Sequence, residues 1–256
     1  MFEPIAPEAA GMPLYRVVKR ALLRAVASGA CAPGSALPSE SELAASLAVS
    51  IGTLRKAVDE LAAEHIVVRR QGRGTFVATH TADRQLLQFF ALERDDGRRE
   101  APRIEWLSLE RGRAAGSAAR ALALRDGEPV LLIENSVWLQ GEAVLHERLT
   151  LPAALFKGLS EKRLHDWPST LYQLYQAEFG VTVVRALERV RAIGADRAAA
   201  RVLGLAPGAP VLQVRRTALS FGDQPVEYRV SIINTGHHEY LNEPARAAHA
   251  ASGVSA

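Results

Sequence analysis

Apolar residues recur at helical spacing in three segments near the start of the chain. The first segment has one apolar stripe at i, i+3, i+4 and i+7, which predicts an amphipathic helix that ends before Gly29. A second helix is predicted from Ser39 to about Leu47, because Ser39 and Glu42 have the spacing of a capping box. A third helix follows after only three residues, with Ser50 as its predicted N-cap. The predicted buried positions of the first and third helices are Leu14, Val17, Val18, Ala21, Leu22, Ala25 and Val26, followed by Leu54, Ala57, Val58 and Leu61.

Two helices joined by so short a turn are typical of a helix-turn-helix, whose second helix can enter the major groove of DNA. The Ser50 cap places Thr53 and Arg55 in the first turns of that helix. Residues 66–77 then form two β-rich runs around a Gly72-Arg73-Gly74 tip, which predicts a hairpin because glycine permits a tight turn. A cationic hairpin tip beside a recognition helix is a wing that can reach phosphates or the minor groove.

The second half of the chain contains a duplication. Residues 118–150 align with residues 199–231 at a constant offset of 81, with 11 identities in 33 pairs. Each copy predicts a short helix, a Gly-x-Pro turn and a hairpin that turns at Gln140-Gly141 or Gly222-Asp223, and residues 169–175 between the copies start a further helix. Two such units predict a mainly antiparallel sheet with pseudo-twofold symmetry and helices packed on it. A crevice between the halves is a natural small-molecule site.

Composition and charge limit the classes of protein to which the chain can belong. The chain has 256 residues, of which 48% are hydrophobic and 23% charged, which suits one large or two modest folded domains. Residues 11–78 contain nine basic and five acidic side chains, a net +4 against +3 for the whole chain. This excess hints at a nucleic-acid partner, although a solvated helix face would look the same. A single cysteine, Cys31, excludes a disulfide framework and a cysteine-ligated zinc site.

The amino terminus and the apolar runs bear on localisation. The first residues are acidic and interrupted by Pro4, where a signal peptide would be basic and then apolar. No apolar run approaches the roughly 20 residues that cross a bilayer. We therefore expect a cytoplasmic protein with no membrane partner.

Several motifs in residues 11–78 resemble the winged helix of GntR-type bacterial transcription regulators. They are Pro13-Leu14-Tyr15, Leu37-Pro38-Ser39-Glu40, Thr53-Leu54-Arg55-Lys56-Ala57 and Arg70-Gln71-Gly72-Arg73-Gly74-Thr75-Phe76-Val77. The resemblance implies a homodimer that binds a palindromic double-stranded DNA operator and usually represses. Ser41 and Ile51 stand where many relatives carry an arginine, so two side chains that approach the operator in relatives are absent. The DNA-contacting residues predicted on this basis are Ser39, Glu40, Ser50, Thr53, Arg55, Lys56, Arg70, Gly72, Arg73 and Gly74.

Residues from about 86 to 240 resemble the effector-sensing domain of the HutC subfamily of GntR regulators, which has the chorismate-lyase (UTRA) fold. The supporting motifs include Asp126-Gly127-Glu128-Pro129-Val130, Thr170-Leu171-Tyr172 and Pro225-Val226-Glu227-Tyr228. In relatives a Ser/Thr-x-Tyr at a helix start and the glutamate of the last hairpin line the effector pocket. The resemblance therefore implies that Thr170, Tyr172 and Glu227 bind an effector.

The charges near this pocket bear on the kind of effector. Relatives that sense phosphorylated sugars carry arginines where this chain has Ser136 and Trp138, which argues against a sugar phosphate. His146, Arg148 and Arg229 remain candidates to supply charge from neighbouring strands, and an exposed position on an edge strand is an equal alternative for Arg148. The predicted effector-binding set therefore has eight residues: Thr170, Tyr172, Glu227, Ser136, Trp138, His146, Arg148 and Arg229.

The sequence thus predicts an α+β chain with a winged helix-turn-helix at residues 11–78, a linker at 79–88, an antiparallel-sheet domain of UTRA type at 89–243 and a disordered tail at 244–256. The predicted function is a DNA-binding transcription regulator, most often a repressor, switched by a small polar metabolite. No cofactor or metal is expected, because His237-His238-Glu239 lacks ligand spacing and is interpreted as a solvated turn. A lyase-type enzyme and a ligand-independent DNA binder stay open as alternatives.

Overall fold

The computed structural model describes Phe2, Pro4 and residues 12–64, 66–79, 92–95 and 101–241. All of the predicted linker except its first residue, and all of the predicted tail, lie outside these residues. The chain divides into two compact units, one of which contains Met1–Thr79 while the other spans His80–Asn242. Among the described helices, none combines the length and apolarity that crossing a bilayer requires.

The first unit has three helices followed by a two-stranded antiparallel hairpin, as the pattern predicts. Its helices bury one apolar face each, and Val18, Leu22, Leu54 and Leu61 are almost completely inaccessible to solvent. Leu14 is the exception to the predicted buried positions, because it is 45% exposed at the first turn of its helix. The short turn between the second and third helices packs them as a helix-turn-helix. The elements are α1 (Leu14–Ala27), α2 (Glu40–Ser46), α3 (Ile51–Ala63), β1 (Val67–Arg70) and β2 (Gly74–Val77).

Both helices of the helix-turn-helix begin at the predicted caps. The Ser39 hydroxyl accepts a hydrogen bond from the Glu42 backbone N–H, and the Glu42 carboxylate accepts one from the Ser39 backbone N–H, so the capping box is complete. The Ser39 hydroxyl and backbone together lower the pKa of Glu42 below its ordinary value. Ser50 caps α3 by accepting from the Thr53 N–H.

The capping box predicts the effect of one substitution. Ser39→Ala should lower the free energy of unfolding of the first unit by about 1 kcal/mol, because the Glu42 N–H loses its acceptor. Urea unfolding followed by far-ultraviolet circular dichroism measures this loss. Ser39→Thr keeps the hydroxyl and is the matched control, which should unfold close to the unchanged chain. Equal losses in the two variants would show that the hydroxyl does not cap α2.

The second unit is built on a six-stranded antiparallel sheet with the strand order β4-β5-β6-β9-β8-β7. A separate two-stranded ribbon pairs β3 with β10. The strands are β3 (Leu92–Arg94), β4 (Arg103–Arg113), β5 (Pro129–Leu139), β6 (Glu142–Pro152), β7 (Arg185–Gly194), β8 (Pro210–Leu219), β9 (Pro225–Ile233) and β10 (His238–Tyr240). The helices are α4 (Gly116–Ala121), α5 (Glu161–Asp166), α6 (Leu171–Phe179) and α7 (Arg197–Leu203).

The strand order confirms the duplication, because β4-β5-β6 and β7-β8-β9 meet at the β6–β9 pair as two equivalent halves. Each half contains the predicted short helix and hairpin. Each hairpin also carries a register shift at the same place, between Val137 and Trp138 in the first and between Ala218 and Leu219 in the second. The two copies are therefore equivalent even in the position of this register shift.

The constant offset of 81 is wrong in the last strand of each copy. The first hairpin has a two-residue turn, since Leu139 pairs with Glu142. The second closes over three residues, Phe221–Asp223, where the Ser220 N–H donates to the Gln224 carbonyl. The extra residue shifts the outgoing strand by one position. Arg229 therefore corresponds to Glu147 and not to Arg148.

The two faces of this sheet are covered by different helices. We call the face that packs against α6 the α6 face; its core contains Leu131, Leu149, Tyr172 and Tyr175. The ribbon residue Leu92 joins a further cluster of buried residues on this face. We call the opposite face, which packs against α7 through residues such as Ala143, Val211 and Ile232, the α7 face. Successive side chains of a strand alternate between these two faces.

Candidate DNA-binding and effector sites

Helix α3 presents the predicted DNA-contacting side chains away from the core. Leu54, Ala57, Val58 and Leu61 form its buried face. The Arg55 side chain is 63% exposed, and Thr53 is half-buried at the start of the helix. The predicted orientation of α3 is confirmed, while contact with DNA stays a prediction.

An acidic residue of α2 holds two arginines at this surface. Glu40 accepts a hydrogen bond from Arg55 Nε at 2.6 Å and a longer one from Arg69 Nη2 at 3.3 Å. Arg69 also pairs with Asp59 of α3. Exposed ion pairs contribute little to stability. The main consequence of this cluster is that the Arg55 guanidinium has a defined position beside α2.

The wing has the predicted glycine-dependent turn. Gly72 and Gly74 adopt φ values of 69° and 105°, which L-residues with a side chain rarely adopt. Arg73 lies between them, exposed at the tip, and Arg70 lies over the Phe76 ring at 4.6 Å from its centroid. The hairpin therefore carries cationic side chains on a short, defined turn.

Besides Glu40, Arg55 and Arg70, three further predicted DNA contacts have partners inside the first unit. Lys56 Nζ lies 4.2 Å from the centroid of the Tyr15 ring of α1, a cation–π contact. Ser39 and Ser50 use their hydroxyls as helix caps. These residues have a structural role, and whether they also touch DNA stays a prediction.

On the α6 face, the structure brings Tyr172, Glu227 and Arg229 together. Glu227 is fully buried and accepts hydrogen bonds from the Tyr172 hydroxyl at 3.1 Å and the Tyr175 hydroxyl at 2.8 Å. Arg229 donates to both carboxylate oxygens of Glu227, from Nε at 2.9 Å and from Nη2 at 3.1 Å. Burial, and then the charge of Glu227, raise the pKa of both tyrosines well above 10.0, so both stay protonated as donors.

A second buried carboxylate completes the pairing of Arg229. Arg229 Nη1 donates to Glu147 at 3.1 and 3.2 Å, and the Ser231 hydroxyl donates to the same carboxylate at 2.7 Å. Burial alone would raise the pKa of Glu147, but Arg229 and Ser231 hold it below its ordinary value. Arg229 is thus a buried guanidinium between two carboxylates, an arrangement that compensates the cost of burying each charge.

Arg216 extends this network toward the edge of the sheet. It is also buried, and its Nε donates at 2.5 Å to Glu188 of β7, which accepts from the Tyr240 hydroxyl as well. The prediction did not include Tyr175, Glu147, Ser231, Arg216 or Glu188. The alternation of Glu227, Arg229 and Ser231 along β9 was a usable signal, because three polar residues at every second position share one face.

Four predicted effector residues lie on the α7 face, which corrects the expectation of a single pocket. Ser136 pairs with His146 and His146 with Ile232, whereas Asn135 pairs with Glu147 and Glu147 with Ser231. Cross-strand partners share a face, and a shift of one residue reverses it. Ser136, Trp138, His146 and Arg148 are therefore separated by the sheet from Glu227, Arg229 and Tyr172.

The residues on the α7 face form their own contacts. Trp138 Nε1 donates to the Ser136 hydroxyl at 2.9 Å. His146 pairs with Glu134, and Arg148 lies 3.6 Å from the same carboxylate with 53% of its side chain exposed. The lack of arginine at Ser136 and Trp138 therefore says nothing about the α6 face, where β5 presents Asn135 and Val137.

Thr170 lies next to the network and not in it. Its hydroxyl caps α6 by accepting from the Gln173 N–H at 3.2 Å. A cavity of about 560 Å³ lies at this end of α6, between the first residues of β4 and the segment that joins α5 to α6. Its lining residues include Ile104, Trp106, Leu164, His165, Trp167, Ser169, Leu171 and Leu174.

The prediction of a solvated turn at His237-His238-Glu239 is correct for His237, which is exposed in a bend, and wrong for His238. His238 lies in β10 and is 5% exposed, and this burial lowers its pKa. The error arose because the ribbon with β3 joins segments far apart in the sequence. Within the part of the chain that the structure describes, no group of three His, Cys, Asp or Glu side chains is placed to hold a metal ion.

A winged helix with exposed cationic side chains, followed by a sheet domain with a cavity and a buried polar network, defines a class of proteins: transcription regulators that read DNA with one domain and a small molecule with the other. Residues 14–77 match the family described as bacterial regulatory proteins, gntR family, and residues 97–239 match the UTRA domain. The chain therefore belongs to the GntR family and carries a UTRA domain. It is an effector-responsive DNA-binding transcription regulator.

Individual relatives agree with this assignment. The histidine utilization repressor of Klebsiella aerogenes is 32% identical over 70% of this chain and 77% of its own length. A probable fructoselysine utilization operon transcriptional repressor of Escherichia coli is 27% identical over 83% of this chain and 87% of its own length. The ligand-binding domain of a GntR-family regulator from Bordetella bronchiseptica matches 60% of this chain and 96% of that structure, with 36% identity and a TM-score of 0.57.

Proposed function

We propose that the protein is a homodimeric repressor that binds a palindromic operator and changes its operator affinity when a small metabolite binds the UTRA domain. The observation that carries the proposal is the orientation of α3, which buries Leu54, Ala57 and Leu61 and leaves Arg55 exposed beside Glu40. Relatives named as repressors support the sign of regulation. Two recognition helices fit a palindrome when half-sites lie about 34 Å apart, so a modest change in domain spacing alters affinity.

We further propose that the protein is a regulator without catalytic activity. A general acid or base needs a proton site that is available to a substrate. The carboxylate of Glu227 accepts four hydrogen bonds from Tyr172, Tyr175 and Arg229 and so is not available to a substrate. Any compound that binds should therefore be recovered unchanged after prolonged incubation, as measured by nuclear magnetic resonance.

The experiment that tests the regulatory proposal begins with selection of binding duplexes from a random library by the full chain. Fluorescence anisotropy of the selected duplex and of a scrambled duplex then gives the specificity ratio, and sedimentation gives the stoichiometry of the complex. We expect a palindromic sequence bound by two protomers. Equal affinity for the two duplexes, or one protomer bound per duplex, would overturn the proposal.

The wing supplies a prediction that concerns all DNA equally. Arg73→Ala should weaken binding to operator and scrambled duplex by the same factor and reduce the slope of log K against log salt by about 1, because one phosphate contact is lost. Anisotropy titrations at several salt concentrations measure this slope. Arg125→Ala, which removes an exposed arginine of the second unit, is the control and should leave the slope unchanged. A loss restricted to the operator would assign Arg73 to base recognition instead.

A further inference from the structure

Ile51 places an apolar side chain at the exposed start of the recognition helix. It is the first residue of α3 and is 44% exposed, while Leu54 and Ala57 of the same helix are fully buried. The large apolar side chains exposed in the described part of the first unit also include Leu14 and Val68, but neither of these belongs to α3. Nearly half of Ile51 is thus left in contact with solvent in the free protein.

Ile51 lies on the same face of α3 as Arg55. The two residues are four positions apart, so their side chains are neighbours on the helix surface. The Arg55 side chain is 63% exposed and is the one for which we propose contact with a base. A recognition helix in the major groove brings its N-terminal residues to the base edges. Any arrangement that brings Arg55 to a base edge therefore brings Ile51 into the same groove.

The next residue allows another molecule to approach this turn closely. Gly52 is exposed, and outside its chain neighbours and the helix backbone a Cβ built there would meet one described atom within 4 Å, the Ser50 hydroxyl oxygen at 3.9 Å. Glycine weakens a helix relative to alanine, yet the described side chains leave room for alanine here. Without a side chain, the backbone of this turn can come closer to a bound molecule.

The floor of the major groove offers one apolar group to such a side chain. Guanine, adenine and cytosine present hydrogen-bond donors and acceptors there, and an isoleucine packed on them would leave these groups unpaired. Thymine adds a C5-methyl group, with which apolar side chains form contacts. Burial of apolar surface is favourable without any contribution from charge. The chemistry of Ile51 therefore matches a T·A base pair.

We propose that Ile51 reads a thymine methyl group in each half-site of the operator. The proposal rests on the proposed function, because it names a base pair that this regulator recognises. Arg55 then supplies recognition by hydrogen bonds, and Ile51 supplies recognition by apolar contact. Contact with a methyl group releases no counterion, so the preference for thymine is independent of the salt concentration.

The test replaces thymines of the selected operator by uracil, which lacks only the methyl group. Each thymine is changed together with its symmetric partner in the other half-site, and fluorescence anisotropy of the full chain gives the ratio of affinities for the thymine and uracil duplexes. We expect one symmetric pair of positions at which uracil weakens binding about tenfold, or about threefold for each methyl group that is buried. This ratio should be the same at low and at high salt.

Substitutions in the chain assign this preference to one side chain. Ile51→Ala should lower the ratio at this pair of positions to about 1, because the methyl group has lost its partner. Ile51→Val keeps a branched apolar side chain and should retain most of the ratio. Leu14→Ala, which shortens an equally exposed apolar side chain of α1, is the matched control and should leave the ratio unchanged. Circular dichroism verifies that each variant is folded.

Two results would overturn the inference and leave the proposed function intact. One is a selected palindrome in which no replacement of thymine by uracil weakens binding. The other is a preference for thymine that Ile51→Ala retains in full, or that Leu14→Ala removes to the same extent. A selection that returns no preferred duplex would overturn the proposed function and this inference together.

Discussion

Replacement of Glu227 by alanine should lower the free energy of unfolding of the second unit by about 3–5 kcal/mol, the usual cost of breaking a buried ion pair by removing one partner. Arg229 would lose two of its hydrogen bonds, and the hydroxyls of Tyr172 and Tyr175 would lose their common acceptor. None of these groups has access to water as a replacement, because all are almost fully buried. Urea unfolding followed by tryptophan fluorescence measures the change.

The matched control is Glu110→Ala, which removes an exposed glutamate from edge strand β4 of the same sheet. Exposed substitutions of this kind usually change the free energy of unfolding by less than about 0.5 kcal/mol. Glu227→Gln keeps the shape and one acceptor, so its loss should fall between the two alanine variants. If Glu227→Ala matched Glu110→Ala, Arg229 would be adequately paired by Glu147 alone and the account of the network would be wrong.

The first unit could be predicted almost completely from the sequence, because its signals are local. Ser39 and Glu42 are three residues apart and cap each other, and Ser50 caps α3 within the same turn. The glycines of the wing, Gly72 and Gly74, are needed by the φ angles of their own positions. Each of these features depends on neighbours in sequence, and a pattern of residue types is enough to identify it.

The second unit shows where such reasoning stops. The duplication was visible because Pro129 and Pro210 mark the start of equivalent strands. The register of the outgoing strands could not be predicted from the sequence, because it depends on one additional residue in the turn at Phe221–Asp223. A single position of register moves every side chain of a strand to the other face. A separate shift of one position affects the first copy, where Ser136 pairs with His146 while Asn135 pairs with Glu147. Four of the eight predicted effector residues, all on β5 and β6, therefore lie on the opposite face of the sheet from Glu227.

The same limit explains the residues that the prediction missed. Glu147 becomes the partner of Arg229 because β6 and β9 are neighbours in the sheet, although the two residues are 82 positions apart. The cost of burying an unpaired charge implies that a buried arginine needs a carboxylate partner, but it does not identify which carboxylate of the chain is that partner. Tyr175 was within reach of sequence reasoning, because it follows Tyr172 by three residues on the same helix and so shares its face.

Glu40 illustrates how a site residue can be predicted for one role and found in another. The resemblance placed it among the DNA contacts, yet a carboxylate is repelled by phosphates. In the structure it accepts hydrogen bonds from Arg55 and Arg69. We expect its effect on DNA binding to pass through Arg55, whose guanidinium it orients before any duplex arrives.

Arg55→Ala should therefore weaken operator binding by about 1–3 kcal/mol while leaving the affinity for scrambled duplex nearly unchanged, because a base contact is sequence-specific and a phosphate contact is not. Folding should be preserved, since Arg55 is 63% exposed and its pair with Glu40 is a surface ion pair. Anisotropy titration of both duplexes at one fixed salt concentration measures the specificity ratio, and circular dichroism confirms the fold.

Arg69→Ala is the control that separates base reading from simple charge, because Arg69 shares Glu40 with Arg55 but belongs to β1 and not to the recognition helix. Its loss should lower binding to both duplexes by similar factors. Glu40→Gln keeps the size of the side chain and removes the charge that orients Arg55, so it should lower the specificity ratio in the same direction as Arg55→Ala and by less. If Arg55→Ala and Arg69→Ala lowered both affinities equally, Arg55 would act as a phosphate contact, and base recognition by α3 would have to come from other side chains.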